Sequence, residues 1–243
     1  MDEYLRDLLA RMDDSSDQIQ ILEPGYDSSK TISWQAFREA ENLSNVKYIP
    51  QIIEYIAGEK NKDNRSHAYY ILGQLTKNTN DKTGVAFLIN QVDKEKDEHT
   101  VCTLLDIIAE LEKSVGTNIE PILCAAQSDK SLLRHSAILA LNGIYSKESE
   151  KLLIETLKTS RDSLDLVYAN VTLSSMGTRE CIPYLQELLS HKKRDVASSA
   201  FSAIIEVGGK DYIDLYREYL AKGKLKSDAI SGVVAYGDES DIP

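Results

Sequence analysis

Apolar side chains along this chain recur three and four residues apart almost from end to end, and no window alternates as a half-buried strand would. The pattern predicts short helices of about 10–14 residues, arranged in pairs. The second helix of each pair carries one frame: a small residue, two variable positions, a small or aliphatic residue, an aliphatic one, two more variable positions and a further aliphatic. The clearest copy runs from Ala137 through Ala140 and Leu141 to Ile144. The frame recurs from Ala36, Ala68, Val101, Ala137, Ala169, Ala200 and Ala229, at spacings of 32, 33, 36, 32, 31 and 29 residues. A period in this range marks stacked helical repeats, none of which can bury its apolar face alone. The four framed positions fall on one stripe of a helix, and small residues there let a neighbouring helix approach closely.

The intervening segments carry matching punctuation. Pro50, Pro121 and Pro183 precede Ala68, Ala137 and Ala200 by 18, 16 and 17 residues, placing them in the opening turn of each first helix, where a missing N–H costs little. Asp63, Asp129, Asp162 and Asp195 are expected to cap second helices, and Gly177, Gly208 and Gly237 to end them. Proline in the first helix, then Asp, then Arg three residues before the small residue of the second (Arg65 and Arg134) resembles the HEAT repeat, in the short variety also found in phycobilin lyases. The family's Arg position is occupied instead by Glu98, Leu166, Ala197 and Lys226 in other copies, so the resemblance is one of architecture. It implies an all-α fold, a right-handed α–α superhelix of about seven antiparallel helix pairs in a single domain. Residues 1–45 would form an atypical capping repeat containing the polar loop 13–31, residues 46–237 the HEAT-like repeats, and residues 238–243 a frayed acidic tail.

Charge narrows the functional classes. The net charge is −11, which disfavours binding to nucleic acid or anionic lipid. Residues 1–45 hold 10 acidic and 4 basic side chains, and residues 81–117 hold 8 and 4. These two regions would steer a partner with a basic surface. No apolar run approaches the roughly 20 residues of a membrane span, and the acidic N-terminus does not read as a secretory signal. A cytoplasmic location is expected. Cys102, Cys124 and Cys181 are odd in number and widely spaced, which predicts reduced and mostly buried thiols.

Motifs for phosphate binding, nucleophilic catalysis and metal-dependent hydrolysis are absent from the sequence. His99 and Cys102 sit three apart, with His135 in the same repeat column, but one layer of helix packing is about 10 Å, too wide for a shared ion. These histidines read as surface or half-buried helix residues, and neither metal nor cofactor is expected. The basic run His191 to Arg194, with Lys222, Lys224 and Lys226, reads as solvated loops at helix ends.

If the framed stripe faces the core, the flanking positions of the second helices line a concave surface. That surface comprises Arg38, Glu41, His67, Tyr70, Gln74, Thr103, Asp106, Glu110, Asn142, Tyr168, Ser202 and Glu206, along with Thr100 and other small polar residues. It is polar, with two tyrosines as candidate anchors, and carries no catalytic constellation. The expected function is non-catalytic binding of a protein with a basic surface. One specific form is a bacterial immunity or inhibitor protein that neutralises a basic toxin such as a nuclease. The alternatives are an enzyme of the short-HEAT type, bilin lyase-like or DNA glycosylase-like, and a scaffold subunit.

Overall fold

A computed structural model describes residues 1–16 and 28–241. Residues 17–27 of the polar stretch and the last two residues of the acidic tail lie outside the described residues. Every regular element among those described is helical. The chain divides into two units, residues 1–125 and 126–243.

The first unit contains α1 (Glu3–Met12), α2 (Ile32–Ala40), α3 (Tyr48–Gly58), α4 (Lys62–Thr79), α5 (Lys82–Gln91), α6 (Glu98–Ala109) and α7 (Glu120–Ala125). Helices α1 and α2, α3 and α4, and α5 and α6 pack as pairs; α4 also packs on α6, and α3 on α5. Second helices therefore adjoin second helices, and first helices adjoin first. The expected stripe is the core: Ala68, Ile71, Leu72 and Leu75 are fully buried, as are Leu104, Leu105 and Ile108. In the weak first copy the second framed position is Glu39, and its carboxylate meets Arg11 of α1 at 2.8 Å.

The second unit contains α8 (Ser131–Ala140), α9 (Lys147–Thr159), α10 (Ser163–Met176), α11 (Ile182–Leu188), α12 (Arg194–Gly208), α13 (Ile213–Ala221) and α14 (Lys226–Tyr236). Helix α10 packs on α8, α9 and α12, α11 on α12, and α14 on α12 and α13. Ala137, Ala140, Leu141, Ala169, Leu173, Ala200, Ala203, Ile204 and Ala229 are fully buried. Gly232 takes the small-residue position of the last copy because a Cβ there would come within 2.7 Å of the buried Tyr216 ring.

Side-chain bonds from second helices to the next repeat follow the sequence period. Arg65 reaches Glu95, Lys77 reaches Glu110, Arg134 reaches Asp165 and Ser198 reaches Asp228, at separations of 30, 33, 31 and 30 residues. The two arginines singled out in the sequence thus tie one repeat to the next. Arg65 also donates to the Glu59 and Lys60 carbonyls, and Arg134 to the Ser128 carbonyl, each in the loop before its own helix.

Helix ends follow expectation at the prolines and at Gly177, Gly208 and Gly237, and depart from it at the caps. All three prolines lie in opening turns, at Pro50 of α3, Pro121 of α7 and Pro183 of α11. Of the four expected aspartate caps, Asp162 alone holds the cap position, accepting from the Leu164 N–H at 2.9 Å. Asn61 caps α4, which pushes Asp63 into the first turn, and α8 and α12 begin at Lys130 and Lys193 without a side-chain cap. Helix α4 is 18 residues, longer than the expected range, because it runs on to a left-handed cap at Asn80. The acidic tail is not simply frayed. Arg217 Nε donates to Asp241 at 2.8 Å and Nη2 to Asp238 at 3.2 Å, anchoring the segment through residue 241. Cys181 is buried as expected, but Cys124 is exposed, since it lies on the outer side of the short α7.

Candidate functional site

Helices α4 and α6 leave a cleft of about 250 Å³ along their seam in the first unit. Tyr70, Gly73, Gln74 and Lys77 form the α4 wall; Thr103, Asp106 and Ile107 of α6, followed by Glu110 and Leu111, form the other. The cleft exists because the apolar stripes of both helices turn inward and leave their flanking positions facing each other. At Gly73 a Cβ would collide with the Ile107 γ-methyl, so glycine is what lets the two helices close at the floor.

Tyr70 is braced from behind. Its ring meets the Phe37 edge at 5.0 Å, and its hydroxyl donates to Glu41 Oε1 at 3.1 Å. Glu41 is held in turn by Arg38 at 2.6 Å, and the Arg38 guanidinium lies 5.2 Å from the half-exposed Trp34 ring. Burial, and then the Glu41 hydrogen bond, push the Tyr70 phenol up to about 12, so it stays neutral and serves as a rigid flat surface. On the opposite rim Lys77 and Glu110 pair at 2.8 Å. Neither the Asp106 carboxylate nor the Gln74 amide meets a hydrogen-bond or ion-pair partner among the described residues. The cleft therefore presents one exposed carboxylate and one amide, neither of them partnered among the described residues, beside a fixed aromatic face.

Five of the residues chosen from sequence converge here: Tyr70, Gln74, Thr103, Asp106 and Glu110. Arg38, Glu41 and His67 stand behind Tyr70, with His67 and Tyr70 both edge-on to Phe37. Lys77 belongs to the cleft but was not among the chosen residues. It sits nine positions after Ala68, the same offset that picks out Glu110 after Val101, so the repeat frame does locate it. In the second unit Ser202 and Glu206 are exposed on α12, Asn142 accepts a hydrogen bond from Ser175, and Tyr168 lies 5.2 Å from the His135 ring.

Two expected surface positions are buried. Thr100 is turned in because its amide and hydroxyl both bond the Asp97 cap of α6, at 3.1 and 3.0 Å. His135 is buried because the start of α10 brings Asp162 and Asp165 against it. Among the described residues no helix is long and apolar enough to cross a membrane. Comparison with protein-family models and with curated proteins gives no match.

Proposed function

We propose that each unit is a stretch of right-handed HEAT-like superhelix and that the α4/α6 cleft is where the protein holds another protein, without catalysing a reaction on it. The reading rests chiefly on one observation: an uncompensated carboxylate, Asp106, and an uncommitted amide, Gln74, stand beside a braced tyrosine in a cleft that the repeat register lines. A lysine or arginine of the partner would lie against Tyr70 and reach Asp106. The chain's net charge of −11 would steer a basic partner toward the cleft, and an inhibitor or immunity protein for a basic toxin is the most specific form of this reading.

The test is capture of partners by immobilised protein at low and high salt, with wild type beside Asp106→Asn and Tyr70→Ala. Expected is a basic protein whose retention falls with salt and falls at least about tenfold in each variant, the effect of an anchor worth about 1.4 kcal/mol. Retention that ignores both salt and substitution would remove the docking reading.

A further inference from the structure

In the second unit the His135 imidazole is 8% exposed and directs Nε2 toward two carboxylates at the start of α10. Nε2 lies 3.0 Å from Asp165 Oδ1 and 3.3 Å from Asp162 Oδ2. Despite these distances Nε2 is buried without a hydrogen bond, since neither oxygen stands where an in-plane N–H would aim. A neutral ring with its lone pair on Nε2 would set three electron-rich atoms against one another. A protonated ring would be attracted by both carboxylates, yet neither oxygen would receive its proton along the ring plane. A cation between the three atoms meets neither difficulty.

We propose that His135 Nε2, Asp162 and Asp165 bind a divalent transition-metal ion of the zinc class. The ligand atoms all lie within 4.8 Å of one another. Around a tetrahedral zinc with bonds of about 2.0–2.2 Å, neighbouring ligand atoms stand roughly 3.3–3.6 Å apart, close to the two nitrogen–oxygen spacings of 3.0 and 3.3 Å. One imidazole nitrogen with two carboxylate oxygens suits zinc better than magnesium or calcium, which take oxygen alone.

The surroundings fit this role. Asp165 is fixed from behind: Oδ2 accepts from Ser160 Oγ at 2.6 Å and from Arg134 Nε at 2.8 Å, with Arg134 Nε also 2.9 Å from Oδ1. Asp162 Oδ1 is committed to the Leu164 N–H, which leaves Oδ2 facing the histidine, with Arg134 Nη2 3.6 Å from it. Such outer contacts orient metal ligands. Arg134 lowers affinity by its charge, but two carboxylates against one guanidinium still leave a net negative site. The Asp162 side chain is 34% exposed and provides the way in. An ion there would clamp α8 to the first turn of α10, in the same place where the Arg134–Asp165 bond already joins these repeats. It shares only His135 with the His99–Cys102–His135 combination considered from sequence, and it does not depend on the docking reading.

The test uses the full chain freed of metal by chelator and dialysis, then titrated with Co²⁺ and followed by its visible absorption, with Zn²⁺ as competitor. Expected are one saturating equivalent with the intense bands of four- or five-coordinate cobalt, displacement by Zn²⁺, and a higher unfolding temperature with Zn²⁺ than without. Asp162→Asn keeps the helix cap through its amide oxygen, so it folds, and should weaken Co²⁺ binding at least about tenfold. His135→Gln should abolish the cobalt spectrum. The proposal is overturned if no single-equivalent spectrum appears, if binding is unchanged in Asp162→Asn, or if the His135 ring signals in nuclear magnetic resonance titrate freely with one equivalent of Zn²⁺ present.

Discussion

Arg65 shows at the level of one residue how the repeat is stitched. Its Nε and Nη2 meet the two Glu95 oxygens at 2.8 and 2.7 Å, and the Glu95 side chain is only 2% exposed. Glu95→Gln would leave a largely covered guanidinium without its counter-charge, and should cost about 2–4 kcal/mol in urea denaturation. The Arg65 hydrogen bond also holds the Glu95 carboxyl below its ordinary value, and Lys62 with the α6 cap holds Asp97 at about 2. Carboxylates depressed on folding stabilise above their unfolded values and lose that stabilisation as pH falls through the folded ones. Wild type should therefore weaken progressively from about pH 4.3 toward pH 2, and Glu95→Gln should flatten the upper part of that slope. An unchanged acid limb in the variant would show that the pair is not what titrates. Neither partner choice was evident beforehand. Arg65 stood out by its place before Ala68, but Glu95 lies in a loop whose geometry follows from the fold and not from periodicity.

Helices are where most of the fold was legible. The stripe beginning at Ala68, Val101, Ala137, Ala169 and Ala200 is buried, apart from a half-buried Val207, because a fixed 3.6-residue turn converts sequence offset directly into direction. Caps were less legible. Asn61, Asp63 and Asn64 are all competent at the start of α4, and only the path of the preceding loop decides that Asn61 does the capping. The burial of His135 was hidden for the same reason: it depends on residues 27 and 30 positions later. Small residues in the stripe carry their own test. Gly232→Ala gains up to about 1 kcal/mol of helix propensity, yet its Cβ would lie 2.7 Å from the root of the Tyr216 ring. That ring is fully buried, and its hydroxyl donates to the Gly209 carbonyl at 3.0 Å, so it has no room to retreat. A net loss of about 1–3 kcal/mol is expected from overpacking. A more stable variant by thermal denaturation would mean that α13 and α14 do not approach as described.

At the scale of the whole molecule, under the docking proposal, the charge of −11 would set what it attracts and the α4/α6 cleft would set where. Composition motivates the proposal of a basic partner, and the repeat frame made the lining residues of the cleft legible, including Tyr70 and Asp106. That Asp106 lacks a counter-ion among the described residues while Glu110 has Lys77 follows from side-chain reach across the seam, which no offset encodes. The most direct test places a photo-crosslinking side chain at Thr103, inside the cleft, and at Glu54, exposed on α3 outside it. The account predicts that Thr103 traps one basic protein in a salt-sensitive manner and Glu54 does not. Trapping from Glu54 alone, or equally from both positions, would contradict it.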